Sequence, residues 1–138
     1  MPSTPPPEER IQALLSKHCE TLRAQVDEVE RLASLIAHHG KDEDTLTALI
    51  QTAHRIAGSG GSMGFDLLSQ KAFALETFAT QWMHNRQRYE TDACGMIRAL
   101  THALANAGAN LTPQQSRLRQ SPLLSEISSR RVRDDQTR

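Results

Sequence analysis

The sequence predicts an all-α protein, an antiparallel four-helix bundle with flexible N- and C-terminal extensions. Apolar residues recur at three- and four-residue steps through four successive segments, which is the spacing of helices that bury one face. The connections between these segments are short, so consecutive helices lie side by side and antiparallel. The composition is 38% hydrophobic with one Trp, one Tyr and three Phe, which suits a modest aliphatic core. At 138 residues the chain has the size of one domain, without room for a catalytic domain plus a regulatory one.

Residues 1–7 carry Pro2, Pro5, Pro6 and Pro7 and almost nothing apolar, and are expected to be a disordered, Pro-rich lead. The bundle is expected over residues 8–111. Its first helix runs from Glu8 to about His39 on the stripe Ile11, Leu14, Leu15, Leu22, Val26, Val29, Leu32, Ala33 and Ile36. Gly40 stops it, and the acidic Asp42, Glu43 and Asp44 restart a second helix near Asp44. That helix carries Leu46, Leu49, Ala53, Ile56 and Met63, with a turn near Gly64. Asp66 is expected to cap a third helix bearing Leu67, Leu68, Ala72, Leu75, Phe78, Ala79 and Trp82, before a polar loop over residues 84–88. A fourth runs from about Glu90 to Asn106 on Ala93, Met96, Ile97, Leu100, Leu104 and Ala107, and is ended by residues 108–113. Residues 112–138 read as a flexible basic tail with room for one short helix. In it Arg117, Arg119, Arg130, Arg131, Arg133 and Arg138 outnumber Glu126, Asp134 and Asp135, which leaves the tail at +3 and the body at −3.

Sixteen Lys and Arg balance sixteen Asp and Glu, which argues against a nucleic-acid binder or a membrane-surface protein. No apolar run approaches the roughly 18 residues of a membrane span, and the first ten residues lack the basic start and apolar stretch of a signal peptide. A cytoplasmic location is therefore expected. Cys19 and Cys94 fall inside helical segments without CxxC spacing and read as reduced, packed thiols.

The segment Ala53-His54-Arg55-Ile56-Ala57-Gly58-Ser59-Gly60-Gly61-Ser62-Met63-Gly64 is the informative one. On a helix, Leu49, Ala53, Ile56 and Met63 lie roughly 100° to 180° from His54, so the histidine faces outward. Gly58 and Gly61 follow one and two turns later on its face, leaving bare backbone beside the ring. If the helix continues through Gly58, Gly60 and Gly61 it loses roughly 3 kcal/mol relative to alanines. Either the missing side chains admit another surface to His54, or the helix ends near Gly58 and the cluster is a loop. A phosphate-binding loop would need Lys and Ser or Thr after Gly64, where Phe65 and Asp66 stand. A dinucleotide fingerprint would need Gly at Met63.

The pattern His54, Ile56, Gly58, Ser59, then Met63-Gly64-Phe65, then Leu68, Ala72 and Leu75-Glu76 resembles the signature of histidine-containing phosphotransfer (HPt) domains. That signature reads His-x-Leu-Lys-Gly-Ser, then Leu-Gly-Ala, then a Leu, an Ala and Leu-Glu on the following helix. The likeness spans two helices, and the four-helix organisation extends it over most of the body, leaving out residues 1–10 and 112–138. It implies that His54 carries a phosphoryl group passed to or from an aspartyl-phosphate on a receiver domain, in a two-component phosphorelay. The partners implied are a response-regulator receiver domain and a hybrid histidine kinase. Mg²⁺ belongs to the receiver, and no cofactor is expected on this chain. The signature's lysine, which helps place and neutralise the phosphoryl group, is replaced by Ala57, and Arg55 and Lys71 are the nearest cations in sequence. A degenerate module that binds a receiver or kinase without accepting phosphate is the alternative, and a bundle with an incidental glycine turn is a third reading.

Imidazole, with an ordinary pKa of about 6.5, is a nucleophile at pH 7, and the chain shows neither a kinase Gly-loop nor a catalytic-loop motif. It is therefore expected to be a carrier without ATP-dependent kinase activity. With the turn near Gly64, antiparallel register places Phe73, Glu76 and Thr77 beside His54. Glu76 can accept a hydrogen bond from one ring nitrogen and leave the other free. Phe73, with Gly58 and Gly61, forms either a docking patch or part of the core. Gln51, Arg55, Gly58, Gly61, Lys71, Phe73 and Glu76 are thus the candidate partner-contacting residues around His54. His38 and His39 lie at a helix C-terminus, His18 on the inner seam of the first helix, and His84 and His102 on the surface. No two have the HxxxH or ExxH spacing of a metal pair. A monomer is the default for a module whose reactive face must stay accessible.

Overall fold

A computed structural model describes residues 5–39, 42–85 and 92–119. Among the described residues four helices form the bundle: α1 over Pro7–His39, α2 over Glu43–Ser62, α3 over Asp66–His84 and α4 over Ala93–Gly108. A 3₁₀ turn at Pro113–Gln115 follows. Each helix packs on two others, α1 and α3 each touching both α2 and α4, with the α2–α3 contact the most extensive. No strand occurs among the described residues, and no described helix is long and apolar enough to cross a membrane.

The core is aliphatic, as the composition requires. Leu15, Leu22 and Val29 of α1, Leu46, Leu49, Ala53 and Ile56 of α2, Ala72, Leu75 and Ala79 of α3 and Leu104 of α4 are completely buried. Some expected core residues are instead exposed: Leu14, Leu67 and Met96 sit at the flanks of their stripes and face solvent. Met63 is half-buried against the core. Cys19 is buried and Cys94 exposed, so only the first is a packed thiol; both are free.

The helix starts differ in detail from the expected ones. Pro7 opens α1 instead of closing the lead, since its missing N–H costs nothing in a first turn that Glu8 and Glu9 favour by charge. Asp42 caps α2, its side chain accepting from the Asp44 N–H at 3.3 Å and from the Thr45 hydroxyl at 2.9 Å. Asp66 does not cap α3. It is the first residue of that helix, and its carboxylate accepts from Arg117 Nε at 3.1 Å. The fourth helix begins at Ala93 and runs on through the buried Gly108. The expected stop at Gly40, the loop over residues 86–88 and the tail beyond residue 119, with its four further arginines, lie outside the described residues.

The α2–α3 turn is built by Gly64. Its φ of +81° is the left-handed conformation that a residue without a Cβ adopts at least cost. The Phe65 N–H donates to the Gly60 carbonyl at 2.7 Å and the Gly64 N–H to the Gly61 carbonyl at 3.1 Å, the paired bonds of a Schellman cap. Residues 113–119, expected to belong to a flexible tail, dock on this turn. Ser116 is fully buried and its hydroxyl donates to the Met63 carbonyl, while the Arg117 N–H donates to the Gly64 carbonyl at 2.8 Å. Arg119 bonds Gln12 of α1, and Leu118 packs on the core. Unpaired carbonyls at the end of α2 thus find partners in the chain just past the bundle.

Candidate functional site

α2 remains helical through Gly58, Gly60 and Gly61, which settles the choice between helix and loop in favour of helix. Two features hold it there against the low propensity of glycine. The Schellman bonds close its end, and the Ser69 hydroxyl of α3 donates to the Ala57 carbonyl at 2.7 Å. Gly61 is the point of close approach for that bond: a Cβ there would lie 3.2 Å from Ser69 Oγ. Gly61 therefore serves the α2–α3 contact and does not border the histidine, contrary to the expectation from helix spacing. Gly58 differs, because a Cβ added there would meet nothing within 4 Å. Among the described residues no contact requires its missing side chain.

With Ala53 and Ile56 completely buried, the helix is fixed about its axis and His54 points outward, its side chain 74% exposed. Across the interface, Glu76 of α3 is brought beside it by the antiparallel register. Nδ1 of His54 and Oε1 of Glu76 are 2.7 Å apart, with the Glu76 side chain only 20% exposed. In the neutral imidazole one nitrogen carries the proton and the other a lone pair, and a carboxylate that accepts from Nδ1–H assigns the lone pair to Nε2. Glu76 thereby holds the ring in one tautomer and one orientation. The arrangement suits a nucleophile that needs an accessible, unprotonated Nε2 and a fixed approach direction.

Two hollows flank the ring. One is lined by His54, Ala57, Gly58, Ser69, Gln70, Phe73 and Glu76 and is largely apolar. Phe73, for which core packing was an open alternative, is 62% exposed here, because Ala72 and Leu75 take the inward positions on α3. The other hollow is lined by Ile50, Gln51, His54, Arg55 and Glu76. Of the two candidate cations, Arg55 borders this second hollow, whereas Lys71 is exposed and borders neither. Thr77 is exposed and lines neither hollow.

The structure thus brings Gln51, Arg55, Gly58, Phe73 and Glu76 together around His54, and leaves Gly61 and Lys71 outside. Ser69 and Gln70 were not singled out from the sequence. The same register count about Gly64 that finds Glu76 places Ser69 opposite the glycine run, so that signal was available. His38 and His102 border a separate groove between α1 and α4, His18 is half-buried and His84 exposed. No cluster of three metal-ligating side chains occurs among the described residues.

Comparison with curated proteins and with solved structures finds no match for the chain. The sequence model of the Hpt domain matches residues 13–110, a span that contains α2, α3, α4 and most of α1 and ends before the docked segment. An outward histidine on the second helix, oriented by the third, lies within this match, and the chain belongs to the Hpt domain family.

Proposed function

We propose that this protein carries a phosphoryl group on His54 between aspartyl-phosphates of receiver domains in a two-component phosphorelay. The observation that supports the reading best is the 2.7 Å contact of His54 Nδ1 with Glu76 on an otherwise exposed imidazole. It leaves Nε2 as the nucleophile and Gly58 as the open approach to it. In the transfer, the Nε2 lone pair forms the N–P bond while the P–O bond to the receiver's aspartate breaks, its electron pair remaining on that carboxylate. The Nδ1 proton stays shared with Glu76, which offsets charge developing on the ring. Mg²⁺ and most of the charge stabilisation come from the receiver, and this chain supplies the nucleophile and its orientation. The receiver reaches the site over Gly58 and Phe73, and the protein works as a cytoplasmic monomer.

The test is transfer from a phosphorylated receiver domain to the protein and to His54→Gln, scored as acid-labile phosphohistidine by mass spectrometry. Label on the wild type that is lost in the variant is the expected result. Ala57, standing where the family signature has lysine, favours a second reading, an Hpt-fold module that binds a receiver or kinase without accepting phosphate. Receiver binding with no label on His54 would select it.

A further inference from the structure

The two hollows beside His54 differ in chemistry, and the difference bears on where the phosphoryl oxygens lie. We propose that Gln51 and Arg55 form the cradle for those oxygens, on the N-terminal side of the ring, and that the apolar hollow is left to the partner. The proposal rests on the carrier reading above. Glu76 occupies Nδ1, so the phosphoryl group must sit on Nε2. It then brings negative charge close to a carboxylate that is itself only 20% exposed, and a cation is needed to offset both. The apolar hollow has none to offer. Ala57, Gly58 and Phe73 are apolar, and the hydroxyl of Ser69 is already committed to the Ala57 carbonyl. Gln70 is its one remaining donor.

The second hollow has two donors of the right kind. Gln51 lies one turn before both His54 (i,i+3) and Arg55 (i,i+4) on α2; Arg55 leaves the helix about 100° round from His54, and its long side chain borders the hollow that all three line. Both side chains are exposed, and among the described residues Arg55 is the only Lys or Arg that borders either hollow. A guanidinium presents a planar fork that matches two phosphoryl oxygens, and it holds its charge at any working pH. The Gln51 amide can donate to the third. In this arrangement the charge of the phosphoryl group is met by the residue after the histidine, and position 57 is free to remain small.

The experiment uses potassium phosphoramidate as the donor, which needs no receiver. The His54 Nε2 lone pair forms the new N–P bond as the donor's P–N bond breaks, and ammonia leaves. Charging of His54 is followed by site-resolved mass spectrometry in the wild type, Arg55→Gln, Gln51→Ala, Arg55→Lys and Lys71→Gln, with label on the exposed His102 as an internal reference. Arg55→Gln is expected to slow charging of His54 about tenfold, the size of a lost charge-assisted contact to a phosphoryl oxygen. Arg55→Lys should recover part of the rate, Gln51→Ala should show a smaller loss, and Lys71→Gln should match the wild type. His102 labelling and the unfolding midpoint should stay unchanged throughout. Wild-type charging in Arg55→Gln, or an equal loss in Lys71→Gln, would overturn the cradle while leaving the carrier reading in place. A wild-type His54 that takes no phosphate from phosphoramidate or from a receiver would overturn the carrier reading and the cradle with it.

Discussion

The four glycines between His54 and α3 should respond to alanine with opposite signs, although they lie within seven residues of one another. At Gly58 a Cβ meets nothing within 4 Å and the backbone is helical, so Gly58→Ala should gain the full helix-propensity difference, about 1 kcal/mol. At Gly60 the nearest atom would be Ser69 N at 3.6 Å, an ordinary contact, and a similar but smaller gain follows. At Gly61 the Cβ would press on Ser69 Oγ at 3.2 Å, so the propensity gain is offset by disturbance of the bond to Ala57. Gly64 is the opposite case. Its φ of +81° costs an L-residue about 1 to 2 kcal/mol, and a Cβ would lie 2.7 Å from Ser116 Oγ and 2.9 Å from the backbone nitrogens of Arg117 and Leu118. Two of those three atoms are backbone, so the docked segment must move. It then loses the Ser116–Met63 and Arg117–Gly64 hydrogen bonds at about 1 kcal/mol each. The expected loss for Gly64→Ala is about 3 to 4 kcal/mol, bounded above by complete release of the segment. Urea unfolding followed by far-ultraviolet circular dichroism, with the slope compared between variants, measures the series. A Gly58→Ala protein clearly less stable than the wild type, or a Gly64→Ala protein as stable as it, would refute the reasoning.

Two further predictions follow from the same contacts. Gly58→Leu should abolish phosphoryl transfer from a receiver while leaving helix content and stability intact, because the added side chain fills only the approach to His54; transfer at the wild-type rate would show that partners do not pass over Gly58. In the native protein iodoacetamide should modify Cys94 alone, with Cys19 reacting only in denaturant, since burial raises the Cys19 pKa, opposed only in part by Arg23, and hides its sulfur; rapid native labelling of Cys19, read by peptide mass, would contradict the packing of α1.

The bundle was legible because four amphipathic stripes encode it locally, and the errors fall where local pattern stops being decisive. Leu14, Leu67 and Met96 adjoin true core positions, and apolar character alone does not say which of two neighbours turns inward. Phe73 presented the same ambiguity, resolved by Ala72 and Leu75 taking the core. The glycine run could not be assigned from propensity because its helicity depends on Ser69 of the next helix and on the Schellman bonds at Gly64. Glu76 was found by counting register about the turn, a calculation that needs only two helices and one tight connection. The docked segment had no such signal. Its anchors join Ser116 to Met63 and Arg117 to Asp66 across more than fifty residues, and they exist because Gly64 has no side chain in their way.

The site follows from a division of labour on α2. Leu46, Leu49, Ala53 and Ile56 are completely buried, so any rotation of the helix would expose or overpack several of them at once. The direction of His54 and its distance to Glu76 are therefore set by the core. Ser69 adds a second constraint by tying the Ala57 carbonyl to α3, one turn beyond the histidine. Against this, Gly58 stands out as a residue whose conformation, space and contacts would all accept a side chain. Among the described residues no contact offsets its cost of about 1 kcal/mol. In the proposed carrier role that cost is offset from outside, by a receiver that approaches over the bare backbone, since Gly58 lines the same hollow as His54.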